Sequence, residues 1–412
     1  VWANNSGGSD SITIYLRVVD MTPLGISWGD GQDVAIEANK SALISVVNDG
    51  PYITSWEVYP QLPDGLSLQT NGDIRGIPTE RTEWRTYRLW ANNTGGSFST
   101  NLSLAVHDLD ADWNDITSGV GGEILDYGSA LMSLILPLGE WSFPIAFDAA
   151  HRPTVSASHS GKGRVIGYGH ENMVADQNGG AENTLSLNAI LWVCGGNNKT
   201  IGVQVDYDHF EDELADEGFT VISDAWPSDL TSMDCFIGDF WNSYSVSENT
   251  VLEAFISSGG GVVLGGHSWY WAYSNSDVAG QYPGNLILNT TGLFVSPETR
   301  QGDTRLTNNP PSLFHRFHAS LTEFEAHYSH DLTIDNSTDL SIAIYALERI
   351  MGQIPMDYEI AWGPILGMLE NLGWVEITST NTFDVNEDPL DTYIMKLARD
   401  LLSSLPAHEL PA

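Results

Sequence analysis

Apolar residues in the first hundred positions recur at every second place, in short runs. Ile12, Ile14, Leu16 and Val18 form one run; Ala42–Val47, Ser55–Tyr59, Tyr87–Ala91 and Asn101–His107 form others, separated by Gly, Pro and Asn. A period of two, broken by turn residues at roughly 8–12-residue intervals, predicts the half-buried strands of a β-sandwich. From about residue 143 the pattern changes. Pro144–Phe147, Thr154–Ala157 and Gly163–Tyr168 read as strands, and Ala181–Val193 as a helix. Strands at Ile201–Val205, Thr220–Ile222, Cys235–Ile237 and Gly261–Leu264 then alternate with helices at Asp208–Glu217 and Ser247–Ser257, the latter with Val251, Leu252 and Phe255 inward. Continuous apolar strands alternating with helices predict a buried parallel sheet. Spacings of three and four at Leu340–Met351, Pro364–Leu372 and Leu390–Leu402 predict a mostly helical C-terminal part ending in a linker.

One run is repeated. Residues 2–20 read WANNSGGSDSITIYLRVVD and residues 90–108 read WANNTGGSFSTNLSLAVHD, so Trp2 and Trp90 stand 88 residues apart in unbroken register. Both copies place an Asn-Asn-Ser/Thr-Gly-Gly turn before an alternating strand. The expected organisation is multidomain. Residues 1–22 are the last strand of a truncated repeat and 23–108 a complete β-sandwich. Residues 109–142 are linker and helix, 143–310 an α/β domain, and 311–412 a helical extension packing on it.

Charge narrows the partners. Sixteen Lys and Arg against 54 Asp and Glu leave a net charge of −38. Neutralising phosphates needs clustered cations, so nucleic acid is excluded as a partner and an anionic membrane surface is disfavoured. No apolar run reaches the roughly 18 residues of a bilayer span. Excess charge of one sign suits a saline exterior, and an extracellular or cell-surface location is expected. The Asn-x-Ser/Thr sequons at Asn4, Asn39, Asn92, Asn101, Asn198, Asn289 and Asn336 are compatible with it. Two cysteines, Cys194 and Cys235, exclude a disulfide scaffold and a thiolate zinc site. Two buried free thiols are expected, with one disulfide as the alternative.

Residues 62–80, LPDGLSLQTNGDIRGIPTE, resemble the Ig-like, cadherin-related repeats of secreted surface proteins. That resemblance implies a spacer or adhesion module, with further repeats on the N-terminal side. Five ordered blocks, GKGRVIGYGHENM, LNAILWVCGGNNKTIGV, DCFIGDFW, FISSGGGVVLGGHSWYWA and QYPGN, resemble the region preceding the catalytic domain of enhancin-like, mucin-degrading zinc metallopeptidases. Vertebrate ion-channel-associated factors share that region. Within it the sequence is similar to class I glutamine amidotransferases, implying a flavodoxin-like parallel sheet with a strand–elbow–helix at the nucleophile.

Ligands of such sheets sit beyond the strands' carboxyl ends, here Gly238–Asn242 and Gly265–Trp271. A nucleophile elbow needs Cys or Ser on a glycine-flanked turn. In Gly265-Gly266-His267-Ser268-Trp269, His267 falls where the resemblance puts cysteine, and Ser268 is followed by Trp269 rather than glycine. Acyl-transfer chemistry is therefore expected to be lost, leaving a cleft that binds. Trp241, Trp269 and Tyr282 offer aromatic faces for sugar rings, and Asp239, Asn242, His267 and Asn285 offer hydrogen bonds to hydroxyls. Trp271 and Phe240 read as core. No His-Glu-x-x-His exists: Val174 stands where His170-Glu171 would need its second histidine, and His408-Glu409 lacks one too. The resemblance implies a peptidase domain after this region. Asp108, Asp110, Asp112 and Asp115 are a calcium candidate, weighed against chance clustering in an acid-rich chain. His315, His318, His327 and His330 are a weaker metal candidate. The expected function is a non-catalytic, substrate-positioning or scaffold region of a metallopeptidase acting on glycoproteins. The alternatives are a surface adhesion or glycan-binding protein, and a hydrolase using Ser268 or His267 with Asp239.

Overall fold

The computed structural model describes residues 1–15, 20–120, 124–128, 130–174, 180–311, 316–328, 347, 350–351, 354 and 359–371. They form two compact units, Val1–Asp108 and Leu109–Ala412. Among the described residues no helix is long and apolar enough to cross a membrane. The expected helices at Leu340–Met351 and Leu390–Leu402 lie largely or wholly outside these residues.

The first unit is all β. It opens with the hairpin β1 (Trp2–Asn5) and β2 (Gly8–Ser11). Then follow β3 (Ile26–Trp28), β4 (Asp33–Glu37), β5 (Ala42–Ile44), β6 (Val46–Asn48) and β7 (Ser55–Tyr59). The unit closes with β8 (Leu66–Leu68), β9 (Ile74–Gly76), β10 (Thr82–Asn93) and β11 (Gly96–His107). A four-stranded sheet β4-β11-β10-β7, a three-stranded sheet β5-β9-β8 and the pair β3-β6 enclose one core of Trp28, Val34, Ile44, Leu62, Ile74, Tyr87, Leu89, Leu102 and Leu104.

The sequence repeat is also a structural one. β1 and β2 pair Trp2 with Ser11 through Asn5 with Gly8, and β10 and β11 pair Trp90 with Ser99 through Asn93 with Gly96. Every pairing recurs 88 positions on. The turn demands glycine, since a Cβ on Gly95 would fall 2.1 Å from the Asp20 carbonyl oxygen. The expected strand through Ile12 and Ile14 is not formed, and Ile14 is 56% exposed where its counterpart Leu102 is wholly buried. Leu16 and Val18 lie outside the described residues.

The second unit begins with α1 (Leu109–Thr117), β12 (Ile124–Leu125) and β13 (Ile135–Pro137). β14 (Ser142–Phe147), β15 (Pro153–Ser160) and β16 (Gly163–Tyr168) form an antiparallel meander. Next come α2 (Ala181–Cys194), β17 (Thr200–Val203), α3 (Glu211–Asp216), β18 (Thr220–Ile222) and β19 (Cys235–Asp239). α4 (Val246–Ser257), β20 (Gly261–Gly265), α5 (Trp269–Ala272), α6 (Val278–Gln281) and α7 (Pro283–Leu288) follow. β21 (Leu293–Val295), β22 (Thr304–Arg305), α8 (Phe317–Tyr328) and α9 (Glu359–Asn371) complete it. A nine-stranded sheet runs β12-β22-β14-β15-β16-β20-β19-β17-β18. β16, β20, β19, β17 and β18 are mutually parallel, so the expected parallel sheet is one half of a mixed sheet.

Alternate strand residues feed two cores. Ile237, Val263 and Ile166 meet Leu185, Ala189 and Ile190 of α2, while Phe236, Val262 and Val165 meet Leu252 and Ile256 of α4. A third cluster joins Leu134, Leu136 and Phe294 to Phe317 and Phe324 of α8 and to Trp362 and Ile365 of α9. Covered on both faces, the sheet presents its strand ends rather than a face to ligands.

Several expectations need correction. Cys194 and Cys235 are not free thiols but a disulfide joining the end of α2 to the start of β19. Val251 is 38% exposed, because Leu252 and Ile256 take the inward face of α4. The helix expected from Asp208 starts as a 3-10 turn at Val205–Phe210. Of the four carboxylates considered for calcium, α1 turns Asp112 into the core while Asp110 and Asp115 are exposed. Asp112 meets His159 Nε2 at 2.7 Å and accepts from Trp192 Nε1 at 2.9 Å. No three of the four carboxylates converge among the described residues.

Candidate functional site

Where the parallel strands end, side chains from four of them gather. Gln204 follows β17, Asp239 ends β19, His267 lies two residues past β20, and His170-Glu171 follow β16. The register aligns the ends, pairing Gly265 with both Asp239 and Tyr168. The turn after β20 requires Gly266: its φ is +156° and a Cβ there would lie 2.3 Å from the Phe240 ring.

His267 is held on several sides. Its Nδ1 stands 2.9 Å from Glu171 Oε2, an imidazole N–H donating to a carboxylate. Its ring stacks on His170 at 4.5 Å, on Trp241 at 4.7 Å and on Trp269 at 5.0 Å. The Asn172 backbone N–H donates to His170 Nδ1 at 3.2 Å, so the proton of a neutral His170 sits on Nε2. Burial lowers the His170 pKa, against the opposing pull of Glu171. Burial works to raise the Glu171 carboxyl, but the His267 hydrogen bond and the His170 charge outweigh it and hold the carboxyl below its ordinary value.

Asp239 anchors a second network. Oδ1 accepts the N–H groups of Trp241 and Asn242 at 2.9 and 2.8 Å, and Oδ2 accepts Gln204 Nε2 at 3.1 Å. The Tyr244 hydroxyl donates to Gln204 Oε1 at 2.7 Å. Burial pushes Asp239 up to about 6, opposed by the Asn242 and Trp241 N–H groups and reinforced by Asp206.

The rim is aromatic. Trp241 is 42% exposed and Tyr270 58%, their rings 5.8 Å apart. Trp269 is half-buried, its Nε1 donating to the Leu131 carbonyl. A groove of about 490 Å³ lined by Leu230, Met233, Val251, Phe255 and Gly260 lies at the opposite, amino ends of β19 and β20.

Asp239, Trp241, Asn242, His267 and Trp269 thus come together, whereas Ser268, Asn285 and Tyr282 are buried. Ser268 is wholly buried; its N–H donates to Ser133 Oγ and its Oγ donates to the Ser296 carbonyl at 2.8 Å. Asn285 is wholly buried, donating to the Val278 and Val295 carbonyls and accepting the Val295 N–H. Tyr282 is core, edge-on to Phe240 and Trp271. Its hydroxyl has no hydrogen-bond partner among the described residues, and its pKa is pushed up by burial and by Glu171 and Asp239. Phe240 is wholly buried and Trp271 packs against the core, as expected. His318 is exposed on α8; His315 and His330 lie outside the described residues. Sequence reasoning considered His170-Glu171 only as an incomplete His-Glu-x-x-His and missed Gln204, although all three follow strand-like runs at the ligand-binding edge.

Known proteins with matching sequence include channel-associated factors. TRPM8 channel-associated factor 2 of Bos taurus is 32% identical over 53% of this chain and 23% of its own length. The TRPM8 channel-associated factor homolog of Xenopus laevis is 33% identical over 46% of this chain and 20% of its own. The chain thus spans under a quarter of these relatives. Among solved structures, IMPa of Pseudomonas aeruginosa in complex with an O-glycopeptide aligns at 13% identity and a TM-score of 0.44, covering 70% of this chain and 36% of IMPa. A family described as "TRPM8, N-terminal domain" (TCAF_N) matches residues 97–310, just over half of the chain, and the chain belongs to that family.

Proposed function

We propose that the second unit is a non-catalytic binding region whose crevice grips a glycan or glycosylated segment of a protein partner. One observation carries the reading. The position after β20, where the sequence resemblance puts a nucleophile, holds His267, bound to Glu171 and stacked among aromatic rings, while the adjacent Ser268 hydroxyl is buried and engaged. An exposed tryptophan and tyrosine beside carboxylate and amide acceptors suit the apolar faces and hydroxyls of sugars. The Cys194–Cys235 disulfide fits an oxidising compartment and supports an extracellular or surface location. Positioning glycoprotein substrates for a metallopeptidase domain elsewhere in a longer protein is the finer form of this reading, resting on the five ordered sequence blocks.

Calorimetric titration with O-glycosylated and bare forms of one peptide tests it. Only the glycosylated form should bind, and Trp241→Ala should weaken binding roughly tenfold, the value of one aromatic stack. Equal binding of both forms would remove the glycan from the reading.

A further inference from the structure

We propose that His170, Glu171 and His267 form a binding site for one divalent transition-metal ion of the zinc class. Their ligand atoms all lie within 4.8 Å of one another. Glu171 Oε2 stands 2.9 Å from His267 Nδ1 and 3.3 Å from His170 Nδ1. An ion holding nitrogen and oxygen at about 2.0–2.1 Å in a tetrahedron separates its donors by about 3.3 Å, so the two Glu171 spacings lie within a few tenths of an ångström of that value. Two imidazoles and a carboxylate suit zinc, cobalt or iron rather than calcium or magnesium. The set is not the helical His-Glu-x-x-His arrangement, because Val174 is buried and apolar and the second histidine arrives from another strand.

Loading requires one movement. A metal lies close to the plane of each imidazole it binds, and the two rings are stacked 4.5 Å apart at an interplanar angle of 14°. One ring must therefore turn. His170 is the freer, held by the Asn172 N–H, whereas His267 is packed against Trp241 and Trp269. The ion would then sit beside the aromatic rim. The site stands whether or not the crevice takes a glycan.

Titrating the metal-free chain with Zn²⁺ by calorimetry, and with Co²⁺ by visible absorption, tests the proposal. One ion should bind per chain. His170→Ala and His267→Ala should each lower affinity on the order of 100-fold or more, while an Asp110→Asn, Asp115→Asn control on α1 leaves it unchanged. Zinc-edge X-ray absorption of the loaded wild type should find two imidazoles around the metal, which decides the matter even if a variant fails to fold. A folded wild type without saturable binding, or a coordination shell without imidazole, would overturn the proposal.

Discussion

Asp112 and Asp239 are two buried carboxylates with opposite relations to the sequence. Leu109, Trp113 and Ile116 mark the inward face of α1, and Asp112 falls on that face, so its burial was legible from spacing. Its acidic neighbours drew attention to calcium instead. Removing the carboxylate would take a buried acceptor away from the His159 and Trp192 rings. Asp112→Ala should therefore destabilise the unit by about 3–5 kcal/mol in urea unfolding. Asp239 has a folded pKa of about 6 against 3.8 in the unfolded chain, so folding favours its protonated form. Its contribution is full below about pH 4 and lost as pH rises through about 6, by at most about 3 kcal/mol. The unfolding free energy of the wild type minus that of Asp239→Asn should fall across this window and level off above pH 7. A flat difference would mean Asp239 titrates normally. The Glu171 partner of His267 was not legible, because it lies 96 residues away in sequence and only the parallel pairing of β16 and β20 brings the two together.

At the level of elements, periodicity located the parallel strands and the helices α2 and α4 to within a few residues. It could not reveal that β14 and β15 extend the same sheet antiparallel, since a run buried on both faces has the same apolar pattern in either direction. Nor could two isolated cysteines announce their bond. The disulfide closes a separation of 41 residues and by loop entropy contributes up to about 4 kcal/mol. A Cys194→Ser, Cys235→Ser variant should fold yet unfold at lower denaturant, with reductant lowering wild-type stability to match. Equal midpoints with and without reductant would count against a closed bond. The 88-residue repeat was the most legible element, because its turn depends on glycines that few other residues could replace.

For the molecule as a whole, a charge of −38 makes self-repulsion a standing term in stability. Raising sodium chloride from about 0.01 to 0.5 M shortens the screening length several-fold and should raise the melting temperature; an unchanged one would show the charges to be too dispersed to matter. The account depends most on a crevice that holds its ligand without altering it. Saturation-transfer difference NMR of an O-glycopeptide with the wild-type chain, followed over many hours in one sample, tests this most directly. Transfer should concentrate on sugar protons while the ligand spectrum stays unchanged. New resonances from a cleaved peptide or glycan that grow with protein concentration, and disappear with His267→Ala, would contradict it.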